Sequence, residues 1–219
     1  MFDITAYMEE FTAAMRREFG ERLVFVGLQG SFRRGEAKEG SDIDAVTVLD
    51  ELCAMDLVRY DRAASALPER KRLCGFLSGR AELLNWERGD LFHFALDTQR
   101  VWGEETLLPA LWERCDPRAA LVSGASAIYH ACCHNLLHEK SPEILQALFK
   151  QAAFVLRAKW FLETGQAVAK LAGLKEVLTG EDAAVFALFE RAREDAPVAD
   201  RFFEASQTLF GWAGGILRS

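Results

Sequence analysis

From Pro117 to the C-terminus the sequence carries no strand signal, and that absence divides the chain. Apolar residues there recur only at helical spacing, over about Ala120 to Glu139, Pro142 to Thr164, Glu181 to Glu194 and Ala199 to Leu217. A helix with an apolar stripe must cover it against something, and four such helices in a row cover one another. Residues 117–219 are therefore expected to form an all-α helical bundle. Ser141-Pro142 marks one boundary, a capping residue followed by a proline in the first turn, while Thr179-Gly180 and Pro197 punctuate the later ones.

Residues 1–110 have a different character. Ile4, Tyr7, Met8, Phe11 and Met15 follow Asp3, a capping residue, at helical spacing, and Gly20 ends that helix. Leu23 to Leu28 and Ile43 to Leu49 are short apolar runs of strand length, separated by a polar stretch punctuated by Gly30, Gly35 and Gly40. A helix is expected from Glu51 to Leu67, closed by Pro68. Arg72 to Leu77 and Leu91 to Leu96 are the next strand candidates, with a helical turn or two around Glu82 to Trp86 between them. About four strands with flanking helices make a mixed sheet, so the fold class is α+β followed by an all-α half.

Twenty-six Lys and Arg against thirty-three Asp and Glu leave a net charge of −7 over 219 residues, and neither half is basic. A duplex nucleic-acid partner needs a clustered positive footprint to replace counterions along the phosphates, so none is expected. The cysteines Cys53, Cys74, Cys115, Cys132 and Cys133 lack the C-x-x-C spacing of a zinc site and are expected as reduced packing residues. No apolar run approaches the ~18 residues of a membrane span, and Asp3, Glu9 and Glu10 interrupt any leader-like N-terminus, so the cytoplasm is the expected location.

Successive side chains of a strand point to opposite faces, so Asp42 and Asp44 at the head of the second strand project together while Ile43 turns inward. Two carboxylates in one small space repel unless a cation lies between them, and hard oxygens at this density suit Mg²⁺, which takes one or two carboxylates plus substrate phosphates. Gly30-Ser31 closes the preceding strand, where a residue without Cβ lets backbone amides approach a phosphate and a hydroxyl can donate to it. Gly30 to Gly35 also mimics the start of a P-loop, but Glu36 stands where that loop requires Lys, and no G-x-G-x-x-G follows a strand.

The run Gly30-Ser31-Phe32-Arg33-Arg34-Gly35-Glu36-Ala37 followed by Ser41-Asp42-Ile43-Asp44 resembles the signature of minimal nucleotidyltransferases of the DNA polymerase beta superfamily, without gaps. A helical bundle after such a domain is similar to the arrangement of kanamycin-nucleotidyltransferase-like proteins and of fusions to HEPN-type helices. The resemblance implies a polymerase beta-like mixed sheet and transfer of a nucleoside monophosphate from an NTP, ATP being the first choice, to an acceptor hydroxyl. It implies two Mg²⁺ ions held by Asp42 and Asp44, and Gly30, Ser31, Arg34 and Ser41 at the nucleotide, with Arg34 either supplementing the phosphate contacts or pairing with Glu36. That family adds a third carboxylate from a neighbouring strand, yet Arg72 to Leu77 holds no acid. Asp97, at the end of the strand expected from Leu91, is the preferred third catalytic and metal-binding acid, ahead of Asp90 and Glu82.

The acceptor is expected to be a small hydroxylated molecule, for which an aminoglycoside is a candidate because acidic proteins attract polycations. A nucleotide-binding regulatory module and a protein adenylyltransferase are the competing readings. His130, His134 and His138 lie along one helix, and with a rise of ~1.5 Å per residue the outer two are about 12 Å apart, so all three cannot share one ion. They are expected as a polar stripe, from which one histidine or Glu139 could act as a base. HEPN ribonuclease chemistry would need Arg a few residues ahead of His; the nearest Arg before His130 is Arg118. Exposed aromatics on the bundle leave room for a homodimer.

Overall fold

The structure, a computed structural model, describes residues 2–193 and 201–219. Glu194, Pro197 and Ala199, named above as helix boundaries, lie outside the described residues. The chain forms two compact units, Met1–Cys115 and Asp116–Ser219.

The first unit is built on a four-stranded sheet of order β3-β2-β1-β4. Helix α1 (Ile4–Phe19) starts where the Asp3 side chain accepts hydrogen bonds from the amides of Thr5 and Ala6, and ends at Gly20. Strands β1 (Leu23–Leu28) and β2 (Ile43–Leu49) run antiparallel, joined through the short helix α2 (Gly30–Arg34) and a polar loop. Helix α3 (Ala54–Ser65) then carries the chain back so that β3 (Leu73–Gly79) lies parallel to β2. Helices α4 (Arg80–Leu84) and α5 (Arg88–Asp97) follow, then β4 (Gln99–Gly103), antiparallel to β1, and α6 (Leu107–Arg114).

The two faces of the sheet bury different sets. Ile43, Ala45 and Leu49 pack with Tyr7, Phe11, Met15 and Phe19 of α1, and Val46 and Val48 pack with Leu83, Leu91, Leu107 and Leu111 of α4 to α6. Each large side chain so buried contributes about 1.5–3 kcal/mol relative to exposure. The period of two puts Asp44 on the face of Val46 and Val48, at its open end.

The sheet has the expected strand count, but the expected strand Leu91 to Leu96 is wrong: those residues lie inside α5. The Glu87 side chain accepts from the Asp90 amide at 2.8 Å and caps the helix, with Leu91 and Phe92 buried beneath it. A run of six residues, apolar but for His93, is too short to tell helix from strand by its period, and tertiary packing decides it. The fourth strand is Gln99–Gly103, polar enough to pass unnoticed because it is the edge strand beside β1.

The second unit has helices and no strand among its described residues. Asp116 caps α7 (Pro117–His134) with Pro117 in the first turn, and a π turn, Asn135–Glu139, continues it. Ser141 caps α8 (Pro142–Thr164), which stops at Gly165 in the left-handed conformation; α9 (Gly180–Arg193) and α10 (Phe202–Arg218) complete the bundle. Ile128, Phe149, Leu156, Phe186, Leu209 and Trp212 form its core. Asp182 is bonded by Trp212 Nε1 at 2.7 Å and Lys159 Nζ at 2.6 Å, so its carboxylate is satisfied where it leaves solvent. Among the described residues no helix is long and apolar enough to cross a membrane.

Candidate active site

Strand β1 delivers its last residues directly onto the head of β2. The Gln29 amide donates to the Asp44 carbonyl at 2.8 Å, and its side-chain amide donates to Thr98 Oγ1 at 2.6 Å, which ties the end of β1 to the chain leaving α5. Gly30 follows with φ +70°, and a Cβ there would fall on the Asp44 carboxylate. Any other residue would collide with that acid and strain the backbone together.

From Gly30 the chain makes a tight helical turn. Gly35, left-handed at φ 67°, ends it, and the Glu36 amide closes back on the Ser31 carbonyl at 2.8 Å. Ser31 is partly exposed in the first turn. The polar loop then folds through a turn in which the Ser41 amide donates to the Lys38 carbonyl at 3.1 Å and the Lys38 amide donates to Ser41 Oγ at 2.8 Å. Ser41, read in sequence as a nucleotide contact, thus has a local job as well: it closes the turn that leads into Asp42.

Asp42 is exposed, Asp44 half-buried. The Asp44 carboxyl is held above the usual carboxylate range first by burial and then by the charges of Asp42 and Asp97, with Arg34 opposing them. Arg34 sits at the centre of a charge cluster. Its Nε donates to Glu36 at 2.9 Å and its Nη1 to Asp97 Oδ2 at 2.5 Å, with all three side chains largely buried. Burial alone would lower the Arg34 pKa, but Asp97 and Glu36 more than offset it. Of the two roles the resemblance left open, the geometry displays the pairing with Glu36 and extends it to Asp97. The Gly30 amide donates to the same Asp97 oxygen at 3.2 Å.

Asp97 therefore lies beside Asp44 and Gly30, but from the C-terminal end of a helix and not from a strand. The place beside Asp44 on the neighbouring strand is taken by Cys74, its partner in the parallel β2–β3 register. The Cys74 thiol is pushed up by burial and by the charges of Asp44 and Asp42, which keeps it protonated. Glu82 stands against Gly79, at the end of β3 that pairs with Leu49, the far end of the sheet from Asp44. Asp90 lies in the first turn of α5, seven residues before Asp97 and so about 10 Å along the axis.

Among the described residues no three His, Cys, Asp or Glu side chains converge closely enough to hold an ion by themselves. The donors fit Mg²⁺ in its usual manner, two carboxylates with substrate phosphate completing the shell. The observation behind that fit is a charge imbalance around the half-buried Asp44, where Asp42 and Asp97 stand against the guanidinium of Arg34; a divalent cation would relieve it. In the second unit His130, His134 and His138 are exposed, and the rings of His134 and His138 stand 4.9 Å apart.

Two residues of this neighbourhood escaped sequence reading, Cys74 and Arg72. Only the strand register singles out the first, and only contacts with Phe2, Phe32 and Ser41 single out the second.

Comparison with known proteins bears on the same segment. Residues 8–71 match the family model described as a nucleotidyltransferase domain, a span running from α1 to the approach of β3 and including Gly30, Ser31, Asp42 and Asp44. No curated protein matches the chain. Among solved structures, spectinomycin adenyltransferase AAD(9) from Enterococcus faecialis, crystallised with ATP and spectinomycin, is similar at TM-score 0.59 and 13% identity, over 99% of this chain and 100% of that one. A toxin-antitoxin with AMP-PNP is similar at TM-score 0.38 and 18% identity, over 48% of this chain and 79% of that one. The first likeness extends the agreement in fold to the helical half.

Proposed function

We propose that this chain, which carries a nucleotidyltransferase domain, moves a nucleoside monophosphate from a Mg²⁺-bound NTP to a hydroxyl of a small acceptor. ATP is the preferred donor. The single observation that carries the reading is the packing of Gly30 against Asp44: the sequence leaves out a side chain where the phosphate-side turn meets the carboxylate pair.

In the proposed reaction the acceptor oxygen attacks the α-phosphorus, a new P–O bond forms, the α–β bridging bond breaks, and pyrophosphate leaves. Asp42 and Asp44 would hold the metal, Ser31 and the adjacent amides the β and γ phosphates. Mg²⁺, when bound, would offset charge on the leaving pyrophosphate and lower the pKa of the attacking hydroxyl. Arg34 holds Asp97 and Glu36 in place, and Asp97 is the acid best sited to act as the third carboxylate, as a further ligand or as the base that takes the acceptor's proton.

An aminoglycoside or related aminocyclitol is the acceptor we favour. The structurally similar adenyltransferase was crystallised with spectinomycin, and the net charge of −7 favours a polycation. One observation favours a second reading, a nucleotide-binding module without turnover: the place beside Asp44 on β3 holds Cys74 and not an acid.

Calorimetric titration of ATP, GTP, CTP and UTP with Mg²⁺ into the wild type and Asp44→Asn tests the site. Metal-dependent binding lost in the variant is the expected result; binding indifferent to Asp44→Asn would remove the metal assignment. Pyrophosphate release with an aminoglycoside panel then separates transferase from sensor.

A further inference from the structure

Arg72 stands at the approach to β3, immediately before Leu73, and its guanidinium reaches both sides of the site described above. It lies against a pair of rings, the centroid of Phe2 at 4.6 Å and that of Phe32 at 5.6 Å, the two rings themselves meeting edge-on at 5.5 Å. From the edge of the guanidinium, Nε donates to the Ser41 carbonyl at 3.0 Å and Nη1 to Glu69 at 3.2 Å. Phe32 directly follows Ser31, and Ser41 directly precedes Asp42. A single side chain therefore grips the turn on the phosphate side through an aromatic ring and the carboxylate side through a backbone carbonyl.

Beyond the Arg34 pair, residues 35–42 are tied down by the Glu36–Ser31 backbone bond and the local Lys38–Ser41 turn, and both Gly35 and Gly40 adopt positive φ. Ile43 onward is set by its ladder with Leu73. On the N-terminal side of Asp42, the Arg72 bond to Ser41 is a tertiary anchor. The chemistry of the clamp is particular to arginine. A planar guanidinium presents its faces to aromatic rings while its edge donates, whereas a lysine ammonium offers a point charge with no fixed edge.

We propose that Arg72 is a positioning residue for this site: it holds the Ser31 turn and the Asp42 carboxylate at a fixed separation. Its consequence for ligands rests on the function proposed above; the clamp itself exists without them.

The test uses the full chain and the variants Arg72→Met and Arg72→Lys. Hydrogen exchange on the ligand-free protein reads the clamp directly. Amides of residues 36–42 are expected to exchange faster in Arg72→Met, with those of α1 and β1 in the same unit unchanged as the control for folding. Calorimetry with Mg²⁺ and ATP reads its use: affinity should fall by about tenfold in Arg72→Met, the scale of one lost hydrogen bond to a well-ordered group. Arg72→Lys, which keeps the charge without the planar edge, should recover part of the affinity but not the slow exchange.

Unchanged exchange at residues 36–42 in Arg72→Met overturns the proposal. So does faster exchange with undiminished affinity, since the clamp would then serve folding alone. A wild-type protein that binds no Mg²⁺-ATP sinks the proposed function instead, and the exchange measurement still decides the clamp.

Discussion

A Cβ on Gly30 would fall on the carboxylate of Asp44, so the turn after β1 and the acid at the head of β2 occupy one packed unit. Gly30→Ala must both strain a backbone at φ +70° and push the acid aside. The expected cost is about 1–3 kcal/mol, the scale of overpacking and of strained backbone. Thermal denaturation measures it, and calorimetry should show Mg²⁺-ATP binding weakened beyond what the stability loss explains. Wild-type binding by Gly30→Ala would mean that the position of Asp44 is immaterial to the ligand.

Asp44 itself should cost stability at neutral pH. Its folded pKa is raised, first by burial and then by Asp42 and Asp97, so the folded chain holds the proton more tightly than the unfolded one. The corresponding stability is present below the ordinary carboxylate pKa and is lost as pH rises through the higher folded value. Asp44→Asn is therefore expected to raise Tm at pH 7, with the advantage over wild type vanishing at about pH 3, near the unfolded carboxylate pKa. A Tm lowered at pH 7 would contradict the repulsion on which the Mg²⁺ assignment stands.

The role of Asp97 is separable by its two readouts. If it takes the acceptor's proton, Asp97→Asn should keep Mg²⁺-ATP affinity nearly unchanged and cut pyrophosphate release by about 10²-fold, the low end of general-base contributions. Affinity and turnover lost together would identify it as a metal ligand.

Cys74 lies in register with Asp44, on the neighbouring strand from which the resemblance implies a third acid. Cys74→Asp puts a carboxylate in register with Asp44 and should tighten Mg²⁺ binding, read by titration of the metal alone. Weaker metal binding would show that position 74 points away from the carboxylate pair.

Away from the site, Arg22 grips the buried Asp56 at 2.9 and 2.8 Å, and the Cys53 amide adds a third bond to the same carboxylate. These bonds hold the Asp56 carboxyl well below the usual range, first through Arg22. Its stabilisation is present above the unfolded carboxylate pKa and lost as pH falls through the depressed folded value. Asp56→Asn should cost about 2–3 kcal/mol at pH 7, less than the 3–5 of a fully buried pair because salt and solvent reach the Arg22 end. Urea denaturation at pH 7 and pH 3 checks both the size and its loss in acid.

What sequence reading captured was local. Asp3 and Ser141 cap the helices they were expected to cap, because a cap needs only amides two or three residues away. The alternation that sends Ile43 into the core and Asp44 to the other face is a property of the strand backbone itself. Leu91 to Leu96 failed on the same ground: a run that short has no period to decide helix or strand locally, and packing under the sheet made it helical.

The sequence by itself determined the helical character of the second half, the two strands that carry the site, and the adjacency of Asp42 and Asp44. Each depends on bonds or side-chain directions within about four residues. Only the tertiary structure decided that Asp97 reaches Arg34 across 63 positions, that Cys74 lies in register with Asp44, and that Arg72 spans Phe32 and Ser41. Those pairings arise from how strands register and helices cover a sheet, a free energy spread over the whole core and written in no short stretch of the chain.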